Sequence, residues 1–435
     1  MEDSSDRISD PSDRTEDPSN RIGDPSDRIG GSSDRTGCPK YSDTEHISTF
    51  KMSSYFTPDH DTFRQSFRDF LQKEVVPYVN EWEEKGELPR SIYEKFGEMG
   101  FFGLPYAEHY GGLDLDFFYS VIFMEEMAKI DSGGTGAAIG AHVYLALSHL
   151  DNEGTEAQKD HYLRKGIAGE IFGCLAITEP GGGSDVASMR TTAKRDGDHY
   201  IINGSKTFIT NGVLSDFLVV AAKTNPDAKA AGISMFVIDR NTPGITATKL
   251  NKLGWRASDT GEIGFDDVRV PATALMGQEG SGFYYIMQKF ALERIAMAIG
   301  GMAASEHALQ HTLKYISERE AFGRSINKFQ VLRHIIAQLA SEIEMQKQFI
   351  YYICARHAKG EYVVKEAAMA KLLATQLCDK VATECLQMFG GYGFMEDYPM
   401  ARNFRDSRLG QIGGGTSEIM REIIAKMVID DVQYK

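Results

Sequence analysis

The chain has 435 residues, with 47 Lys+Arg against 62 Asp+Glu, a formal net charge of -15, and 42% apolar and 25% charged residues. Such an acidic chain is a poor partner for nucleic-acid phosphates, and its length suggests two or three domains around a large core. The cysteines, Cys38, Cys174, Cys354, Cys378 and Cys385, are odd in number and form no C-x-x-C pair, so reduced structural thiols are expected, and no uncharged apolar run approaches ~18 residues, so neither is a transmembrane span.

Residues 5–39 read as five seven-residue units, SDRISDP, SDRTEDP, SNRIGDP, SDRIGGS and SDRTGCP. Each unit has at most one aliphatic residue, and proline recurs where a helix should continue, so no coiled coil is expected. With so little to bury, residues 1–51 read as a disordered, dispensable extension, too acidic for a transit peptide. Globular patterning starts at Met52.

From about Asp59 to Ala168 the pattern is helical. Phe63, Phe67, Phe70, Leu71 and Val75 recur at three- and four-residue spacing, and Phe117–Ile130 and Ala137–Leu150 follow on either side of Gly133-Gly134. Near Ile171 the texture turns β-like, with short β-branched and aromatic runs at Phe172–Ile177, His199–Ile202, Phe217–Ala222 and Ile233–Ile238. Asp196-Gly197 and Asn203-Gly204 suggest tight hairpins. Helix returns at about Ser281, over Phe283–Glu318, Gln330–Lys359, Val363–Met388 and Thr416–Val428. The expected order is a helical domain over 52–170, a β domain over 171–280 and a helical domain over 281–435. No strand–GxGxxG–helix unit and no Walker A loop occurs, which argues against a nicotinamide-type Rossmann fold.

Three strings carry chemistry. "AITEPGGGSDVAS" (Ala176–Ser188) places hydroxyls and three glycines just after a strand, where backbone amides can approach a ligand. A glycine cluster alone would favour a plain loop. The whole string resembles the first signature of the acyl-CoA dehydrogenase family. "QMFGGYGFMEDYPMARNFRD" (Gln387–Asp406) resembles the second, and "SEREAFGRSINKFQ" (Ser317–Gln330) resembles the segment that meets a neighbouring subunit's flavin. Order and spacing agree from about Phe56 to Val428.

The resemblance implies a mainly α fold: an N-terminal α-helical domain, a middle β-barrel-like domain and a C-terminal four-helix bundle. It implies FAD as cofactor. Ile177, Thr178, Gly183 and Ser184 match flavin contacts, and Ser184 also matches the substrate side. Phe208, Ile209 and Thr210 match the segment against the isoalloxazine; many relatives have Trp at position 208, and Phe keeps an aromatic face without the indole N–H. Arg319 matches the arginine that pairs with the FAD pyrophosphate across a subunit interface, a task suited to a planar fork of fixed charge. Phe322, Phe329 and Gln330 match the adenine side, Gln387, Gly390 and Gly391 further cofactor contacts, and Thr416 and Glu418 those after the glycine turn. Shared flavin sites imply a homo-oligomer, usually a tetramer in this family.

The family needs one carboxylate beside the substrate's α-carbon. In many members it precedes Gly-Thr in the loop that here reads Ile412-Gly413-Gly414-Gly415-Thr416, and that position is Gly414. From Phe290 to Ala304 the only charged residues are Glu293 and Arg294. On a helix the neighbours of Glu293 are Lys289, Phe290, Ala296 and Met297. Read from the residues alone, the pair could be a buried structural ion pair, although adjacent helical residues point about 100 degrees apart. A subset of the family, including long-chain and isovaleryl-CoA dehydrogenases, places its base at this helix position and leaves the loop position small. The resemblance therefore implies Glu293 as base, Arg294 as electrostatic support in the substrate site, and Gly414 and Gly415 as substrate contacts, with the Gly414 N–H polarising the thioester carbonyl.

Other groupings are weaker. His307 and His311 share a helix face, but two ligands are too few and no H-E-x-x-H motif is present, so no metal is expected. His142 and His149 lie two turns apart, beyond the reach of one ion. The implied activity is α,β-dehydrogenation of a medium- or long-chain acyl-CoA, with electron-transferring flavoprotein as acceptor. An isovaleryl or short branched-chain dehydrogenase, an acyl-CoA oxidase, and a non-catalytic flavin or acyl-CoA binder remain alternatives. A start at Met52 would suit a bacterial cytoplasmic enzyme, with the mitochondrial matrix as the alternative.

Overall fold

A computed structural model describes residues 55–434. The heptapeptide units and the expected extension lie outside the described residues. The N-terminal part holds α1 (Pro58–Glu74), α2 (Val79–Lys85), α3 (Arg90–Glu98), α4 (Phe117–Met127), α5 (Gly133–Gly140), α6 (Ser148–Glu153), α7 (Glu156–Gln158) and α8 (Arg164–Ile167). A capping box starts α1: the Thr57 hydroxyl accepts from the His60 N–H, and the His60 ring returns a bond to the Thr57 backbone. Between α3 and α4 the chain makes two 3₁₀ turns, Phe101–Gly103 and Glu108–Tyr110.

The middle part holds β1 (Gly173–Ala176), β2 (Thr192–Asp196), β3 (His199–Thr210), β4 (Phe217–Lys223), β5 (Ile233–Asp239), β6 (Ile245–Lys249), β7 (Thr260–Pro271) and β8 (Leu275–Met276). They form one sheet ordered β6-β7-β3-β2-β4-β5-β8, with β1 parallel to β4. β4 explains why a run as apolar as "FLVVAA" is a strand. Phe217, Val219 and Ala221 enter the core shared with the helices, while Leu218, Val220 and Ala222 enter a second core on the opposite face. β5 is divided in the same way. β2 and β6 have mostly exposed or half-buried residues, so they lack the apolar signal that marks β4.

Asp196-Gly197 turns β2 back onto β3, as its sequence suggests. Asn203-Gly204 makes no hairpin. It lies inside β3, where the pairing with β7 shifts register between Ile202 and Gly204. Gly204 has φ +145, and a Cβ there would fall 2.6–2.8 Å from Thr191 atoms, so close backbone approach, not a turn, requires this glycine.

The C-terminal part holds α9 (Gly282–Glu318), α10 (Gln330–Ala358), α11 (Val364–Phe389), α12 (Pro399–Ser407) and α13 (Ser417–Ile429). α9 has 37 residues, a length of about 56 Å. Gly301 lets α9 approach α11: a Cβ there would sit 3.2 Å from the Ala374 carbonyl oxygen. No helix among the described residues is long and apolar enough to cross a membrane.

Candidate active site

The structure gathers the candidate residues into three groups. The first lies on the N-terminal half of α9. Glu293 is half-buried there and makes no hydrogen bond or ion pair within bonding distance among the described residues. Burial pushes its carboxyl up to about 7, against the opposing fields of Arg294 and Lys289. Arg294 is buried on a different face. Its Nε has no hydrogen-bond partner and its guanidinium stacks 5.4 Å from the centroid of Phe290. The two adjacent charges therefore do not form the closed structural pair that the bare sequence allows.

The glycine loop between α12 and α13 comes to the same place. Gly414 and Gly415 have φ +60 and +89, a left-handed pair that few other residues tolerate. A Cβ on Gly414 would approach Met297 Sδ to 2.9 Å. Met297 is one helical turn beyond Glu293, so a side chain at position 414 would project at the helix segment that carries Glu293. Thr416 caps α13 by accepting from the Ile419 N–H. Glu418 is exposed and pairs with Arg421 at 3.3 Å.

The second group lies at the edge of the sheet. Ile177 and Thr178 follow β1; the Thr178 carbonyl accepts from the Thr207 N–H at 2.9 Å, while Gly183 and Ser184 are exposed. Phe208 has φ +60 and is 70% exposed, beside buried Ile209 and half-buried Thr210. A left-handed backbone on an exposed aromatic residue is strained and leaves a ring face open to a ligand.

The third group lies at the far end of α9. Arg319 stacks 5.7 Å from the Tyr392 ring and helps line a groove of about 500 Å³ with Tyr315, Met388, Gly390 and Gly391. No atom lies within 4 Å of where a Cβ would sit on Gly390 or Gly391, so the backbone there is open. Phe322 is 95% exposed with φ +54, edge-on to Phe329 at 6.1 Å; Gln330 starts α10 and exposed Gln387 lies near the end of α11. Arg319 is 26 residues along from Glu293, about 39 Å on a helix axis.

Two lysines that sequence reading passed over hold these groups in place. Lys206 is fully buried and donates to Glu179 Oε1 at 2.8 Å and to the Ile177 carbonyl at 3.0 Å. Glu179 also accepts from the backbone N–H groups of Arg190 (2.5 Å) and Thr191 (2.9 Å), which fixes the start of the glycine string. The signal was parity: Lys206 continues the inward series Tyr200, Ile202 along β3. Lys371 is fully buried on α11 and donates to the Gly415 carbonyl at 2.5 Å, anchoring the glycine loop. Its signal was position, on the apolar face between Ala367 and Ala374.

Comparison with known proteins fits this geometry. Family models match in chain order: acyl-CoA dehydrogenase N-terminal domain over residues 57–170, middle domain over 174–268 and C-terminal domain over 280–429. The pig mitochondrial long-chain specific acyl-CoA dehydrogenase is 41% identical, over 86% of this chain and 88% of its own. The mitochondrial isovaleryl-CoA dehydrogenase of Pongo abelii is 38% identical, over 83% and 87%. The crystal structure of an acyl-CoA dehydrogenase from Geobacillus kaustophilus is 42% identical, with TM-score 0.83, covering 86% of this chain and 99% of that one. The chain therefore belongs to the acyl-CoA dehydrogenase family, FAD-dependent oxidoreductases that act on the CH–CH bond of acyl-CoA thioesters.

Proposed function

We propose that Glu293 is the base that removes the α-proton of an acyl-CoA, and that the Gly413–Thr416 loop receives the thioester. One observation carries this reading: the empty side-chain position of Gly414 faces Met297, one turn from a carboxylate with no partner of its own. An acid on the loop and an acid on the helix would compete for the same space, and this chain keeps only the helix acid.

The residues divide the work. With a pKa near 7, Glu293 is ionised in about half the molecules at neutral pH and is a far stronger base than an exposed carboxylate. The Gly414 N–H donates to the thioester oxygen and stabilises the negative charge that grows there as the proton leaves. Lys371 fixes that N–H through the Gly415 carbonyl. Arg294, buried and unpaired, adds a positive field beside the developing enolate. Ile177, Thr178, Gly183, Ser184 and the Phe208–Thr210 segment hold the flavin end of FAD, with Ser184 and Gly415 also beside substrate. Thr416 and Glu418 flank the same flavin. Arg319, Phe322, Phe329, Gln330, Gln387, Gly390 and Gly391 hold the distal part of FAD belonging to a second copy of the chain. The open groove at Gly390-Gly391 and the exposed rings of Phe208 and Phe322 suit such a ligand. FAD, when bound, supplies the acceptor for the hydride leaving the β-carbon.

The product is a trans-2-enoyl-CoA. The two electrons pass on to electron-transferring flavoprotein, and the shared FAD sites call for a homo-oligomer, which we take to be a tetramer. Medium- or long-chain substrates fit the side-chain-free loop and the pig relative; the isovaleryl relative at 38% identity keeps a short branched substrate as the second reading. The test is anaerobic bleaching of bound FAD by acyl-CoAs from C4 to C18 and by isovaleryl-CoA. Fastest bleaching at C8 or longer supports the first reading; isovaleryl-CoA as best substrate supports the second. Glu293→Gln should retain FAD and lose bleaching rate by about 10²–10⁴-fold. Near-normal bleaching in that variant removes Glu293 from the role.

A further inference from the structure

His307 and His311 look insufficient for a metal in sequence because the third ligand comes from elsewhere. Asp131, between α4 and α5, places one carboxylate oxygen against each imidazole. Its Oδ1 lies 3.2 Å from His307 Nε2, and its Oδ2 lies 3.3 Å from His311 Nε2. The two Nε2 atoms are 3.0 Å apart.

We infer that Asp131, His307 and His311 form a binding site for one divalent transition-metal ion of the zinc type. Three observations carry it. The first is spacing: ligands held at about 2.0–2.1 Å around a tetrahedral ion lie roughly 3.3 Å from one another; the two Nε2 atoms are 3.0 Å apart, each has an oxygen of the Asp131 carboxylate at 3.2 or 3.3 Å, and one ligand atom from each of the three residues lies within 4.8 Å of the others. The second is polarity. Without an ion the two Nε2 atoms are at hydrogen-bond distance, so one ring donates to the other and the pair cannot also serve both Asp131 oxygens. Asp131 Oδ1 is shielded from solvent and accepts no hydrogen bond of good geometry. An ion gives both Nε2 lone pairs and the partnerless Asp131 oxygen one centre to share. The third is preorganisation. Asp131 is held at φ +56, and its carbonyl accepts from Arg402 Nη1 at 2.9 Å. The two rings pack 4.4 Å apart at 77 degrees on adjacent turns of α9. The side chains are 19–37% accessible, which leaves an entry path and room for a water as fourth ligand.

The site has a structural consequence. The residues just after Asp131 are a crossroads: the Gly133 N–H donates to Asp406 Oδ2 at 3.0 Å, and a Cβ on Gly134 would collide with the backbone of Trp255 and Ala257. An ion would tie this junction of all three family domains to α9. His307 is 14 residues from Glu293, about 21 Å along the helix, so the ion stays clear of the acyl-CoA site.

The experiment is calorimetric titration of Zn²⁺ into tag-free, chelator-treated holoenzyme. One ion per chain should bind with micromolar or tighter affinity and raise the thermal midpoint. His311→Ala and the milder His311→Gln, at the most accessible ligand, should each weaken binding at least 100-fold while FAD content and turnover stay unchanged. Asp131→Asn should do the same. The proposal is overturned if holoenzyme shows no saturable Zn²⁺ site, or if His311→Gln binds Zn²⁺ as tightly as the parent chain.

Discussion

Two glutamates, Glu179 buried and Glu293 half-buried, make opposite use of the same side chain. Glu179, behind the glycine string, is saturated: it accepts from Lys206 and from two backbone N–H groups, and despite burial these hold its carboxyl below the usual range. Glu293, on α9, has no such partner, and burial lifts it to about 7. A satisfied carboxylate is a fastener. An unsatisfied one next to an open glycine loop has its lone pairs free for a proton. The contrast lies in the partners each chain segment supplies: desolvation pushes both carboxyls up, and only Glu179 has the donors that reverse it.

Breaking each side of this contrast should give different symptoms. The largest effect is the loss of bleaching rate in Glu293→Gln, with FAD content unchanged. Next, Lys206→Met leaves the Glu179 carboxylate buried without its cation. Such a break costs about 3–5 kcal/mol, so urea unfolding should shift strongly and FAD occupancy should fall with it. A Lys206→Met protein as stable as the parent would remove the fastener role.

A smaller effect has the opposite sign. Because the folded-state pKa of Glu293 lies above its unfolded value, folding favours the protonated form. Its contribution is complete below about pH 4.5 and is lost as pH rises through 7. Glu293→Gln should therefore be more stable than the parent at pH 8, by on the order of 2 kcal/mol, and nearly equal to it at pH 4.5. Thermal midpoints at the two pH values read this directly; equal midpoints at pH 8 would mean that the carboxyl is not desolvated. Smaller still is the pH limb of the reaction. The rate of flavin bleaching should fall about tenfold per pH unit below 7, as Glu293 takes up its proton, and a flat profile down to pH 5 would place the essential ionisation elsewhere.

Much of this was legible in the sequence because it rests on local periodicity. The long helices declare themselves through three- and four-residue spacing, and β4 and β5 through continuous apolar runs. Glu293 stood out as one of two charges in a fifteen-residue stretch. What stayed hidden depends on distant partners. β2 and β6 carry little apolar signal because their side chains face solvent. Asn203-Gly204 mimics a turn, but Gly204 admits Thr191, the residue just before β2. Lys206 and Lys371 go unmarked in the sequence, because their partners, a buried carboxylate and a loop carbonyl, are distant along the chain. Asp131 is 176 positions from His307, so no spacing rule could join them.

The most direct test of the base is exchange of the substrate's α-hydrogens with D₂O, which follows proton removal without requiring electron transfer. The parent holoenzyme should wash deuterium into the α-position readily, and Glu293→Gln should slow this by at least 100-fold with FAD still bound. Wash-in at the parent rate in Glu293→Gln would contradict the account.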